Sequence, residues 1–201
     1  MLESPTLPPA RDRRVRRSRA ALMSATVRLV AERGTADVPI SDLAEAADVS
    51  RRLVYQQFRD RDTLLLEAAL DLARRELLPQ VTEGPGDGHA RALAVARHMA
   101  AHRAFYRALL TSSCGFALSR ALNSLFLPIN RRLVRMMYGD RLDDRLLEDL
   151  AMLLTGGWGD VVHTWVVDGP APLDADEFTD RLMRTASALL APHQKGAADD
   201  D

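Results

Sequence analysis

Residues 39–58 read PISDLAEAADVSRRLVYQQF, and the fold turns on how this stretch is read. Leu43, Ala44 and Ala47 share one face of a short helix, and the alanines leave room for a neighbouring helix to come close. Asp48 stands where a tight turn needs left-handed backbone, which Asp tolerates better than most side chains. Val49 can then plug the core, and Ser50 is a good N-cap for a second helix. In that helix Val54 and Phe58, four apart, face inward, so Arg51, Arg52, Tyr55 and Gln56 point largely outward. Arg reads guanine bidentately, Gln reads adenine and Tyr bonds a phosphate. The pattern is a helix-turn-helix with the chemistry of a major-groove reader. Leu53 and Gln57 complete its set of candidate contacts.

Upstream, apolar residues at helical spacing run from about Arg14 to Arg33 and stop at Gly34, a residue suited to the C′ position. Downstream, a longer helix starts near Asp60–Asp62 and is expected to end at Pro79. The segment 81–88, VTEGPGDG, is the best linker candidate, with three Gly and one Pro in eight residues. Four further helical blocks follow, at roughly 89–113, 117–138, 143–167 and 174–191, and Pro128 should kink or split the second. No segment shows sustained alternation, so the expected fold is all-α. Its N-terminal three-helix DNA-binding domain (residues 14–60) joins a larger helical domain (61–192). A basic disordered arm (1–13) and a disordered tail (193–201) flank them.

Composition agrees with this layout. The chain has 201 residues, 47% hydrophobic and 27% charged, with no apolar run long enough to span a bilayer. Its single cysteine, Cys114, fits a reducing cytoplasm, and no targeting peptide is legible. The net charge of −1 hides an asymmetry. Residues 1–80 carry 14 Arg against 12 acids, with six Arg between positions 11 and 19, whereas residues 140–201 carry 5 basic and 14 acidic side chains. A basic N-terminal end suits a polyanion, although a solvated basic arm has the same composition. Beside a helix-turn-helix, Arg16 and Arg17 of the stretch Arg11–Arg19 become candidate phosphate contacts.

The combination of Leu43-Ala44, Asp48-Val49-Ser50, Tyr55, Phe58, Arg61 and Leu64-Leu65 resembles the DNA-binding region of the tetracycline-repressor (TetR) family, over about residues 15–70. The resemblance implies that Tyr55 contacts one phosphate and Arg61, where the family usually has Lys, contacts another. It also implies a dimer, a small-molecule effector pocket and, most often, repression. The chain departs from the family pattern at three places. Asp48 replaces the common Gly, Pro39 replaces a Ser or Thr cap, and Arg52 replaces a small residue, so no operator can be borrowed from a relative.

Residues 143–168, DDRLLEDLAMLLTGGWGDVVHTWVVD, carry two apolar stripes. Leu146, Leu150, Leu153, Gly157, Val161 and Trp165 form one; Leu147, Leu154, Trp158 and Val162 form the other. A helix apolar on two faces must be covered on both, by its own chain and by a second copy, or by its own core alone. Leu150, Gly157, Val161 and Trp165, with Phe178 and Leu182 of the last block, are the candidate homodimer contacts.

The implied effector pocket has His98, His102, Phe105, Tyr106, Trp158 and His163 as candidate lining. His98 with His102, or Asp160 with His163, have metal-ligand spacing, but two ligands on one helix are weak support, and ordinary polar or core histidines are expected. No cofactor motif and no catalytic constellation is legible: Gly156-Gly157-Trp158-Gly159 follows no strand, and no serine sits in a nucleophile elbow. Together these features predict a non-enzymatic regulator that binds a roughly palindromic double-stranded operator and is released by a small molecule. Two rival readings stay open. One is a helical small-molecule-binding protein or enzyme whose N-terminal helices contact another protein, and the other is a nonspecific nucleoid protein.

Overall fold

The computed structural model describes residues 10–83 and 87–190, and every regular element among them is helical. Residues 1–9 of the expected arm and the whole of the expected tail lie outside the described residues.

The order of elements is α1 (Ala10–Arg33), α2 (Ile40–Ala46), α3 (Arg51–Gln57), α4 (Arg61–Leu72), a π turn (Ala73–Leu77), α5 (Leu78–Thr82), α6 (Gly88–Ala101), α7 (Arg103–Leu110), α8 (Gly115–Tyr138), a 3-10 turn (Gly139–Arg141), α9 (Asp144–Asp168) and α10 (Ala175–Leu190). Side-chain caps mark the helix starts. Ser50, Asp60, Asp87 and Asp143 each accept the backbone N–H three residues on. Gly34 closes α1 at φ 64°, its N–H donating to the Val30 carbonyl at 2.9 Å.

Four boundaries differ from the sequence expectation. The Arg-rich stretch is not an arm leading into α1 but its first turns, since the helix already begins at Ala10. Pro79 does not end the third helical run. A proline removes one donor and crowds the carbonyl four residues back, and the widened π turn before it absorbs both, with Leu78 N–H donating five residues back to the Ala73 carbonyl. The run continues to Thr82. The block at 89–113 breaks at His102, whose backbone leaves the helical region at φ −109°, ψ 23°. Its ring is held by Glu76, while the next residue, Arg103, is drawn to the end of α9. Pro128 neither splits α8 nor faces the core: the helix runs through it with the ring exposed.

One hydrophobic cluster links both ends of the molecule. Leu22, Val30, Leu43, Val54, Phe58, Leu64 and Leu65 of the first four helices are continuous with Phe105, Tyr106, Leu109, Leu118, Trp165 and Phe178 of the body. α1 packs on α2, α4 and α7, α6 packs on α10, and α8 packs along α9. At Gly159 the Asn123 side chain of α8 occupies the space beside α9, its Oδ1 2.6 Å from where a Cβ would stand. Arg131 adds a two-pronged pair to Glu148, both contacts at 2.6 Å.

Candidate functional site

The turn between α2 and α3 has the geometry its residues predict. Asp48 is the one described non-glycine residue with positive φ, at 52°. Val49 packs against the core, and its N–H donates to the Ala44 carbonyl at 2.9 Å. Val54 and Phe58 are buried, which turns Arg51, Arg52, Tyr55 and Gln56 to the surface; Tyr55 is 58% exposed although it is aromatic. The other two candidates on α3 differ. Leu53 is half-buried, and the Gln57 side-chain amide is enclosed with neither its nitrogen nor its oxygen hydrogen-bonded, so Gln57 does not present its amide outward.

Arg16 and Arg17 are exposed on α1. Arg61, expected to grip a phosphate, pairs with Asp37 and lies 3.5 Å from Asp62, and these carboxylates hold its guanidinium firmly charged. Arg19 was not anticipated as a functional residue. Its guanidinium stacks over Phe58, 4.2 Å from the ring centroid, donates to the Gln57 carbonyl at 3.1 Å and pairs with Glu67. It thereby ties α1, the end of α3 and α4 together and fixes the angle of the candidate recognition helix. The sequence signal was the same Arg run that suggested an arm.

A cavity of about 410 Å³ lies in the body between α6, α8, α9 and α10, within the range usual for small-molecule sites. Its wall is mostly apolar, with Val95, Met99, Leu122, Phe126, Ile129 and Leu133 among the lining residues, and Val81 of α5 also reaches it. Of the candidate lining residues, Tyr106, Trp158 and His163 stand in its wall. Three expected lining residues do not. Phe105 is fully buried with its ring edge-on to Tyr106, so it is core. His98 is buried behind the wall, its Nε2 hydrogen-bonded to Tyr106 Oη at 2.9 Å. Burial, and then the neighbouring His102, push the His98 pKa down to about 4, so the ring is neutral at physiological pH. His102 faces away and meets Glu76 at 2.7 Å. Among polar groups on the wall, Arg91 has its Nε enclosed without a partner.

The expected dimer contacts also divide. Trp165 and Phe178 stack on each other inside the chain, ring centroids 4.0 Å apart, and are core residues with no surface to offer a partner. Leu150 and Leu182 are half-buried, whereas Gly157 and Val161 are exposed. On the same outer stripe of α9, Leu146 is exposed and Leu153 is 71% exposed.

Residues 22–68 match the model of the bacterial regulatory proteins of the tetR family. Over that stretch, which holds the helix-turn-helix, the chain is similar to that family. Two solved structures share the fold over most of the chain. The dihydroxyacetone kinase operon activator DhaS aligns at 13% identity and TM-score 0.58, covering 86% of this chain and 95% of its own. A protein described as a TetR-family transcriptional regulator from Rhodococcus sp. aligns at 19% identity and TM-score 0.59, covering 84% and 97%. No curated protein matches the chain. No described helix is long and apolar enough to cross a membrane.

Proposed function

We propose that this regulator is a homodimeric repressor, held on a roughly palindromic operator until a small, mainly apolar molecule enters the cavity of the body. One observation carries the reading. The helical run that opens with Arg61, beside the candidate DNA face, places Val81 of its last turn in the cavity wall. At about 1.5 Å per residue this run bridges roughly 30 Å, so displacement at one end reaches the other through a packed element. The effector acts by binding more tightly to the conformation in which the two α3 helices are wrongly spaced for successive major grooves, about 34–36 Å apart.

In this reading Arg51, Arg52 and Gln56 read bases, while Tyr55, Arg61, Arg16 and Arg17 neutralise phosphates. The protein acts in the cytoplasm on double-stranded DNA, without catalysing a reaction. In vitro selection of bound DNA tests the first half: an enriched, roughly two-fold-symmetric sequence is expected, and no sequence preference would refute it. The selected DNA then serves to screen small molecules that raise the melting temperature. Release of DNA by such a molecule is expected; stabilisation with unchanged operator affinity refutes the switch. Because DhaS, with the same fold, is an operon activator, a reporter fused to the selected site is also needed. Lower reporter output in the presence of the protein is the expected sign.

A further inference from the structure

We propose that Glu76, His98 and His102 form a binding site for a divalent transition-metal ion of the zinc class. The sequence shows two histidines four residues apart near the end of α6, a spacing that places both rings on one side. The fold supplies a third group from another element: Glu76 of the π turn. One donor atom from each residue lies within 4.8 Å of the others. Glu76 Oε2 is 2.7 Å from His102 Nε2 and 4.0 Å from His98 Nδ1. An ion bound tetrahedrally at about 2.0–2.1 Å from each donor needs them roughly 3.3–3.5 Å apart. The observed separations bracket that value, so small side-chain rotations suffice.

The surroundings favour a site over a plain ion pair. A ligating histidine normally has its second nitrogen held by a hydrogen bond, and Tyr106 Oη holds His98 Nε2, which leaves Nδ1 toward the carboxylate. Two imidazoles and one carboxylate suit zinc, cobalt or nickel; calcium and magnesium prefer all-oxygen shells. Glu76 is exposed, so water can take the fourth position. Glu76 lies within the π turn, and such turns recur at functional sites. A bound ion would fasten the run that starts at Arg61 to the junction of α6 and α7.

The competing account is a Glu76–His102 ion pair beside a neutral His98–Tyr106 hydrogen bond, with no ion. Tag-free protein stripped with chelator and titrated with zinc chloride at pH 7 distinguishes them. One ion per chain is expected, with a rise in melting temperature that chelator reverses. Glu76→Gln and His102→Gln, both outside the fully buried core, should each weaken binding at least tenfold while keeping the helical circular-dichroism spectrum. Cobalt(II) should give the visible absorption of a four-coordinate ion, lost in both variants. No stoichiometric binding at micromolar zinc overturns the proposal. So does tight binding that both variants retain, since the ion would then lie elsewhere.

Discussion

At the scale of single residues, Arg51 and Arg61 both carry charge but should fail differently when removed. Arg51 is exposed at the start of α3 with no ion pair among the described residues, so it is free to reach a base edge. Arg51→Ala is expected to cost about 1–3 kcal/mol on the selected operator and to relax preference at one or two positions. Arg61 already has carboxylate partners, and its role toward DNA is a phosphate contact in competition with Asp37. Arg61→Ala should weaken binding to all sequences alike and lower the salt slope by about 1, whereas Asp37→Ala should raise affinity at low salt. Binding measured for each variant on selected and scrambled DNA over a salt series checks both roles; identical behaviour of the two arginines would remove the distinction. Gln57 gives a second residue-scale test. An enclosed amide without partners costs about 1–3 kcal/mol, so Gln57→Met should raise the melting temperature by a few degrees with little change in operator affinity. A large loss of DNA binding would show that Gln57 swings out to the groove. Burial, followed by the nearby Asp62 charge, pushes the Cys114 thiol up, which makes it a poor nucleophile at neutral pH. Iodoacetamide should label the native protein far more slowly than the urea-unfolded chain.

Among the elements, the end of α9 shows most clearly how side chains from one helix position another. Arg103 of α7 donates to three carbonyls where α9 stops: Val166 at 3.0 Å, Gly169 at 2.5 Å and Pro170 at 3.3 Å. Arg107 adds Val167 at 3.0 Å. A cation at a helix C-terminus satisfies carbonyls that lack intrahelical partners and opposes the negative end of the dipole. Arg103→Ala should therefore destabilise the protein by about 2 kcal/mol, lowering the melting temperature by roughly 4–8 °C, and Arg103→Lys should recover only part because a single ammonium cannot reach all three. Unchanged melting would mean that solvent replaces these bonds at no cost. Nothing in the sequence announces this clamp, since its partners are backbone atoms more than sixty positions away. The legible elements were those whose signals are local. The Asp48 turn, the Ser50 cap and the Gly34 stop depend on neighbours a few residues off, and all three formed as read. Pro79 and His102 misled because a π turn and a Glu76 contact, both set by packing, decide where those helices run on or break. For the same reason Phe105 read as a cavity residue: helical spacing says that a residue is inside, but it does not say which side of Tyr106 the empty space lies on.

At the scale of the whole molecule, α9 is apolar on two faces and the described residues cover one of them. Leu147, Ala151, Trp165 and Val166 are buried within the chain, and Arg131 and Asn130 of α8 fix the helix there. The opposite stripe exposes Leu146, Leu153 and Val161, an uncovered apolar row of the kind that marks an association surface. A second copy is the proposed cover, because two recognition helices on a two-fold-symmetric operator require a two-fold-symmetric protein. Trp165 cannot test this, since replacing it would empty the core. Leu153 and Gly157 can. Leu153 is mostly exposed, and a Cβ at Gly157 meets nothing within 4 Å, so neither Leu153→Asp nor Gly157→Arg strains the isolated chain. In an exposed helix, replacing the glycine even favours the helical state by about 1 kcal/mol. In a symmetric dimer each change appears twice, and two aspartates buried in an apolar contact should weaken association by at least about 3 kcal/mol, a hundredfold or more. Sedimentation velocity at micromolar concentration should find a dimer for the wild type and monomers for both variants, with helical content preserved. On DNA the variants should lose affinity for the paired site while keeping the weak affinity for one half-site. A wild-type monomer, or variants that sediment as the wild type does, would place the partner surface elsewhere and leave the spacing of two α3 helices without a mechanism.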